Sequence, residues 1–248
     1  MSDTKTPGKT DGSGDSLSRN LEQLFSMPRP LSDFSTANFN DAMERIGIHN
    51  RVLDQEIRPL LPYTKMVGVA VTLKLDLCES DGVYVEEYAK AMEAGPLVPS
   101  PILVVEIPRD FPIGTVGSGA AYVMRRHYGF VGCLIEGNLR DTDDLRNMHF
   151  QCYHRGFSPG FQFGKMKGIS AQEPVTVGGV RISPGDVIVG DNDGVVAIPF
   201  GDFDRIMAAV REDLVGEMAI LHEIDAGGPY LEAIRRHQPW AFGKKGGI

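Results

Sequence analysis

The most informative stretch of the chain reads Gly132-Cys133-Leu134-Ile135-Glu136-Gly137-Asn138-Leu139-Arg140-Asp141. Together with Val131 before them, its first four residues form an apolar run, which predicts a short buried strand at Val131–Ile135. A Gly-Asn turn follows, and after it an Arg-Asp pair. Polar residues just beyond the carboxyl end of a buried strand stand where α/β proteins usually build their sites. The stretch therefore predicts an α/β fold with a candidate site at Arg140 and Asp141.

The segments around this stretch alternate between strand and helix patterns. Apolar and β-branched runs predict further strands at Met66–Leu73 and Pro101–Ile107. Apolar residues at helical spacing, with capping residues or a terminal glycine, predict helices at Ser35–Gly47, Tyr84–Glu93, Gly119–Tyr128 and Asp141–Met148. Strands separated by helices predict a single α/β domain with a partly parallel sheet.

The last third of the chain has a different pattern, with short strands separated by tight turns and then one long helix. A Gly178-Gly179 pair predicts a hairpin within Pro174–Ile182, and strands are expected at Val187–Asp191 and Val195–Pro199. The acidic residues between them, with Asn192 and Gly194, are typical of turns more than of a metal cluster. A long amphipathic helix is predicted over Phe203–Ile224.

Composition narrows the class of protein. A net charge of -8 disfavours a nucleic-acid partner held by a basic surface. Three cysteines without CxxC spacing indicate neither a zinc knuckle nor a disulfide framework, which fits a reducing cytosol. No stretch approaches the roughly 20 apolar residues that span a bilayer, so we expect a cytoplasmic protein without a membrane partner. The polar segment 1–18 is predicted to be a disordered tail, and 19–248 a single domain.

The Arg140-Asp141 pair can divide the work of holding an oxo acid. A guanidinium binds a carboxylate at two points, and an aspartate binds a hard cation through oxygen. The alternative is a surface salt bridge at a helix start, with Asp141 as the N-cap. Upstream, the glycine-rich loop Gly114–Ala121 opens a helix, so it is either an anion-binding loop or a flexible connection. The histidines lack metal-ligand spacing, and Ser118 lacks the full pattern of a nucleophile elbow.

Four segments, taken in order, resemble the RraA-like family. They are Asn40–Gly47, Val67–Thr72, Gly129–Asp141 and Pro184–Val196. The resemblance covers about Leu31 to Gly228. It implies an α/β fold of the swivelling β/β/α type, with a mixed sheet flanked by helices and a C-terminal amphipathic helix. It also implies a homo-oligomer, either a trimer or a hexamer built as a dimer of trimers, with sites near subunit interfaces.

The resemblance also implies a chemistry and assigns residues to it. The family contains class II 4-hydroxy-4-methyl-2-oxoglutarate/4-carboxy-4-hydroxy-2-oxoadipate aldolases, which need a divalent metal such as Mg²⁺ or Mn²⁺. In these aldolases a glycine or an acid precedes the Arg-Asp pair with 20 residues in between, and a further acid follows after two more residues. Here those positions are Gly119, Arg140-Asp141 and Asp144. The glycine stands where aldolases with an acid would have a carboxylate.

The resemblance gives each of these residues a role. Arg140 binds the substrate carboxylate and Asp141 the metal, while backbone groups of Gly119, Ala120 and Ala121 line the pocket. Glu217 resembles a family glutamate that reaches a neighbouring subunit. The expected function is a metal-dependent lyase acting on small 2-oxo acids through a pyruvate enolate, as a 4-hydroxy-2-oxo acid aldolase, an oxaloacetate decarboxylase or both. The alternative is a non-catalytic, protein-binding regulator of ribonuclease activity, which the family also contains.

Overall fold

The structure is a computed structural model that describes residues 30–160 and 163–243. The segment predicted to be a disordered tail, 1–18, lies outside the described residues. The described chain groups into two compact units, Leu31–Met207 and the residues from Ala208 onward.

The first five described helices follow the predicted order, and the sixth is not among the predicted ones. They are α1 (Thr36–Arg45), α2 (Val85–Ala94), α3 (Ser118–Tyr128), α4 (Thr142–Asn147), α5 (Phe203–Asp225) and α6 (Tyr230–His237). The strands are β1 (Arg58–Pro59), β2 (Met66–Gly82), β3 (Pro101–Glu106), β4 (Gly114–Val116), β5 (Gly132–Ile135), β6 (Asn138–Leu139), β7 (Gln151–His154), β8 (Gly156–Phe157), β9 (Gly164–Ala171), β10 (Val175–Val177), β11 (Val180–Ile182), β12 (Val187–Gly190) and β13 (Val195–Ile198).

Eight of the described strands form one mixed sheet. Its main path runs β1-β7-β5-β3-β2-β12-β13, and β9 pairs with the outer half of β2. The neighbours β7, β5, β3 and β2 are parallel, whereas β1, β9, β12 and β13 pair antiparallel. The predicted mixed sheet flanked by helices is confirmed.

The central strands are buried on both faces. In β3, Leu103 and Val105 belong to one hydrophobic cluster, and Ile102 and Val104 belong to the cluster on the opposite face. Successive side chains of a strand point to opposite faces, so a strand covered on both sides needs apolar residues throughout. This requirement explains why β3 and β5 appear in the sequence as continuous apolar runs.

A second, smaller sheet positions the candidate site. Three of the described strands, β4, β6 and β8, lie side by side and parallel in that order. Each has only two or three residues. Their carboxyl ends therefore meet at one edge, and the segment that follows each strand begins there.

The predicted hairpin and C-terminal helix are also present. β10 and β11 pair across Gly178 and Gly179, whose φ angles of 57° and 76° are those that two-residue hairpin loops require. Helix α5 covers the predicted amphipathic segment, and within the second unit Glu223 accepts hydrogen bonds from Arg236 and His237. Of the helices in the described ranges, none combines the length and apolar character that crossing a membrane requires.

Candidate functional site

The candidate site lies at the carboxyl edge of the three-stranded sheet. The Arg140 N–H donates to the Val116 carbonyl at 3.0 Å, and the Ser158 N–H donates to the Leu139 carbonyl at 2.9 Å. These bonds continue the ladders one residue beyond the strands. They bring together the segment after β4, which holds Ser118, and the segment after β6, which holds Arg140 and Asp141.

Asp141 has an unusual backbone conformation. Its φ and ψ angles are 53° and 41°, in the left-handed region that aspartate tolerates better than most residues. It occupies the N-cap position of α4, as the salt-bridge alternative expected, but its side chain makes no capping bond to that helix. Left-handed conformations at non-glycine residues cost free energy and are enriched at functional sites.

The Asp141 carboxylate instead reaches the start of a different helix. Its Oδ2 accepts hydrogen bonds from the Ser118 backbone N–H at 3.1 Å and the Ser118 hydroxyl at 3.3 Å. Helix α3 begins at Ser118, and its own N-cap residue, Gly117, has no side chain. The first N–H groups of a helix need outside acceptors, and an anion there is favoured by the helix dipole. Asp141 therefore caps α3 from 23 residues away in sequence.

Arg140 lies across two glycines of the preceding loop. Its Nε is 3.4 Å from Asp141 Oδ1, and its side chain is 28% exposed. A Cβ atom at Gly114 would lie 2.5 Å from the Arg140 Cβ, and one at Gly117 would lie 2.4 Å from Asp141 Oδ2. The two glycines are therefore needed for space, because the Arg140-Asp141 pair fills the volume that their side chains would take.

The predicted pocket-lining residues occupy the first turn of α3. Gly119 and Ala120 are the second and third residues of the helix, where backbone N–H groups have no partner within the helix itself. A Cβ atom at Gly119 would have no heavy atom within 4 Å outside its own helix and neighbours, so this position is open. Ala121 differs, since its N–H donates to the Gly117 carbonyl at 3.0 Å and its side chain is buried. Ala121 thus belongs to the helix and the core more than to the surface of the site.

The two remaining predicted residues lie on α4 and α5. Asp144 is exposed on α4, one turn beyond Asp141. Glu217 is exposed on α5, in the second unit. Its expected contact with a neighbouring subunit stays a prediction.

His154 is close to the site in sequence but has the character of a structural residue. It ends β7, its Nδ1 lies 3.0 Å from the Gly156 carbonyl oxygen, and its ring packs 4.6 Å from that of Phe157. Burial, with a smaller contribution from the positive charge of Arg146, lowers the pKa of His154 to about 4. The imidazole is therefore neutral near pH 7 and donates its Nδ1–H to the carbonyl.

The donor set fits a hard cation held by a single protein carboxylate. Within residues 30–160 and 163–243, no three His, Cys, Asp or Glu side chains converge as a metal cluster would. Magnesium is commonly bound through one or two carboxylates, with water and substrate oxygens completing the octahedron. Asp141, with a side chain 35% exposed and Oδ1 in only a long contact with Arg140, can serve in that way.

Sequence reasoning finds Arg140 and Asp141 but misses the residues that hold them. From the sequence alone, Ser118 is considered only as a nucleophile, which its surroundings disfavour, and Gly114 and Gly117 only as parts of a loop. A useful signal would have been two short polar segments that each follow a strand. Gly117-Ser118 follows β4 and Arg140-Asp141 follows β6, and these two strands are parallel neighbours, so the segments after them meet.

Comparison with known proteins places this geometry in a family. The family model described as RraA-like (Aldolase/RraA) matches residues 36–197. A protein of Halalkalibacterium halodurans, provisionally named 4-hydroxy-4-methyl-2-oxoglutarate aldolase, is 30% identical over 203 residues, which cover 79% of this chain and 90% of that protein.

Two solved structures share the fold. RraAS2 of Streptomyces coelicolor, described as an unusual member of the RNase ES inhibitor RraA family, has a TM-score of 0.65 at 22% identity, over 77% of this chain and 96% of its own. A structure described under cellulases from microbes of the gut ecosystem has a TM-score of 0.70 at 21% identity, over 88% and 90% of the two chains. At these identities both show the fold alone. Together with the match over residues 36–197, which is most of the chain, they lead to one conclusion: this protein belongs to the RraA-like family.

Proposed function

We propose that the protein is a divalent-metal-dependent lyase that cleaves a carbon–carbon bond in small 2-oxo acids. The observation that carries the proposal is the open Arg140-Asp141 pair at the carboxyl edge of the small sheet. The family match and a relative provisionally named as an aldolase support the same class of reaction.

Arg140 and Asp141 have separate tasks in this proposal. The Arg140 guanidinium holds the substrate carboxylate by charge-assisted hydrogen bonds. Asp141 holds Mg²⁺ or Mn²⁺, which when bound supplies Lewis-acid stabilisation of the charge that develops on the keto oxygen. The N–H groups of Gly119 and Ala120, at the positive end of α3, add favourable electrostatics for an anionic substrate.

Decarboxylation is the reaction that these residues favour. Loss of CO₂ from oxaloacetate needs no proton removed from the substrate, and the enolate that remains takes a proton from water at C3 to give pyruvate. Retro-aldol cleavage, by contrast, must first deprotonate a 4-hydroxyl. Position 119 is glycine, and His154 is buried with its Nδ1–H engaged by a carbonyl. We therefore expect pyruvate release from oxaloacetate to exceed that from 4-hydroxy-2-oxo acids.

The test measures pyruvate release with Mg²⁺ or Mn²⁺ and with a chelator, in the wild type, Asp141→Asn and Asp141→Ala. Asparagine keeps an oxygen that can cap α3 but removes the charge that binds a cation. Asp141→Asn should lose metal-dependent turnover with little change in thermal stability. Asp141→Ala should lose turnover, and its free energy of unfolding should also fall by about 1 kcal/mol, which is the typical cost of removing a helix cap.

Asp143→Asn is the matched control. Asp143 lies two residues away with a side chain 94% exposed, so this variant should keep both turnover and stability. Full Mg²⁺-dependent turnover in Asp141→Asn would contradict the assignment of Asp141. If the wild type releases no pyruvate from any 2-oxo acid with either metal, the regulator function replaces the enzyme.

We also propose a homotrimer, or a hexamer, on the strength of the family resemblance. Light scattering on the full chain at working concentration checks this. A stable monomer would contradict it.

A further inference from the structure

Ser118 makes two contacts with one oxygen atom of the proposed metal ligand. Its backbone N–H and its hydroxyl both donate to Asp141 Oδ2, at 3.1 Å and 3.3 Å. We infer that Ser118 is a positioning residue, which fixes the rotation of the Asp141 carboxylate so that Oδ1 stays available to a divalent cation. The inference rests on the proposed function, because it concerns how Asp141 binds its metal.

The surroundings of Oδ2 support a fixed orientation. The terminal torsion of an aspartate is broad, so a carboxylate without directed donors rotates freely. Here two donors converge on Oδ2, and the absence of a Cβ at Gly117 leaves room for that oxygen, since such an atom would lie 2.4 Å from it. Oδ1, by contrast, has a long contact of 3.4 Å with Arg140 Nε. The two oxygens therefore have different tasks, one held by the protein and one left for a ligand.

The position of Ser118 allows its two donors to be removed separately. Ser118→Ala deletes the hydroxyl and keeps the N–H. Ser118→Pro deletes both, and proline is well accepted at the first residue of a helix, where the N–H has no partner within the helix. Gly117, with φ −126° and ψ −176°, already has the extended backbone that a residue before proline adopts. Ser118→Thr restores both donors.

The measurement is the affinity for Mn²⁺ alone, by electron paramagnetic resonance titration of the metal-stripped full chain. Mutation of a residue that hydrogen-bonds to a metal ligand typically lowers the metal affinity by roughly 10- to 100-fold. We expect about tenfold weaker binding in Ser118→Ala, a larger loss in Ser118→Pro and wild-type affinity in Ser118→Thr. Ser170→Ala, on β9, is the matched control and should bind as the wild type does. Thermal unfolding of each variant reports separately on the stability of α3.

The outcomes separate this inference from the function beneath it. If Asp141→Asn loses Mn²⁺ binding while both Ser118→Ala and Ser118→Pro keep it, the metal site is right and the role of Ser118 is wrong. That role is equally wrong if the Ser118 variants lose thermal stability but no Mn²⁺ affinity, since Ser118 would then serve the helix alone. If the wild type binds Mn²⁺ no better than Asp141→Asn, the proposed metal site fails and the inference fails with it.

Discussion

Two arginine–carboxylate groups in this protein stand directly after parallel strands, and their surroundings differ sharply. Arg155 follows β7 and Glu136 follows β5, and their side chains are 8% and 12% exposed, with a 2.7 Å contact between them. Arg140 and Asp141 follow β6, are 28% and 35% exposed, and approach each other only to 3.4 Å. The chain thus has one arginine–carboxylate pair in a closed environment and another in an open one.

The difference lies in how many of the polar atoms already have partners. The Arg155 guanidinium also contacts Asp54 and Glu56, and the second oxygen of Glu136 accepts the Gly178 N–H. This network connects the β10–β11 hairpin and the segment that holds Asp54 and Glu56 to the carboxyl ends of β5 and β7. Asp141, by contrast, has one oxygen fully engaged and the other in a long contact. Position after a strand therefore does not distinguish the two pairs, and our proposal rests on the remaining capacity of Asp141 Oδ1 to accept a ligand.

The largest expected effect is on the closed network. Arg155→Met leaves Glu136 as a buried charge without its guanidinium partner, and such losses typically cost about 3–5 kcal/mol. Urea unfolding should show this loss of stability. The double variant Arg155→Met/Glu136→Gln should recover much of it, because no buried charge remains and the amide oxygen can still accept the Gly178 N–H. Equal stability in the wild type and the single variant would show that the network contributes little.

The next effect is on the open pair. Arg140→Lys keeps the charge but cannot make the two-point contact of a guanidinium with a carboxylate. We expect kcat/KM for oxaloacetate to fall by an amount equivalent to about 2–5 kcal/mol, with unchanged stability. Arg146→Lys, an exposed residue on α4, is the control and should keep its kcat/KM. Unchanged activity in Arg140→Lys would place Arg140 outside the substrate contact.

A third prediction concerns His154, which joins the two regions by ending β7 and bonding to Gly156 of β8. Burial lowers its pKa to about 4, below its ordinary value, so the unfolded chain binds more protons between these two pH values. Stability should therefore be fully present above about pH 6.5 and fall by up to about 3 kcal/mol as pH drops toward 4. Unfolding of the wild type and His154→Gln across this window measures the difference. Parallel curves would contradict the prediction.

The smallest expected effect comes from Gly117→Ala. The added Cβ would overlap Asp141 Oδ2 and lie 2.8 Å from Arg140 Cγ, so the pair must shift. Overpacking of this kind costs about 1–3 kcal/mol, and turnover should fall with it. Gly119→Ala adds the same methyl group where nothing lies within 4 Å, so its stability should be unchanged or slightly raised. Similar behaviour of the two variants would show that the close approach at Gly117 is relaxed in solution.

The sequence predicts those parts of the fold whose signal is local. The apolar runs of β3 and β5, the Gly178-Gly179 turn and the helix ended by Gly129 each follow from a few adjacent residues. The strands β4, β6 and β8 escape prediction because two or three residues without a hydrophobic pattern give no strand signal. The outer half of β2 escapes it because its polar residues are tolerated only once β9 pairs beside it.

The same distinction holds for the site. Arg140 and Asp141 can be found because they come shortly after the apolar strand β5, beyond the Gly137-Asn138 step. The bond from Ser118 to Asp141 cannot be predicted in this way, since it depends on two parallel strands lying side by side and on a left-handed backbone at Asp141. The ion pair of Glu136 cannot be predicted either, although Glu136 directly follows β5 in the same stretch. Its partner Arg155 is 19 residues away in sequence.

The capping of α3 by Asp141 has a consequence for which substitutions this chain can accept at position 141. A descendant without the proposed activity would still need an oxygen acceptor at position 141, because α3 begins with a glycine N-cap that has no side chain. An aspartate at position 141 is thus compatible with either the lyase or the binding function. The two functions differ in whether they need its charge, since an asparagine oxygen can cap the helix but an asparagine binds a cation poorly. A descendant with asparagine at position 141 and Ser118 retained would keep the cap of α3 but lose the charge that the proposed cation needs. That combination is the one we expect in a relative that binds partners without the proposed lyase activity.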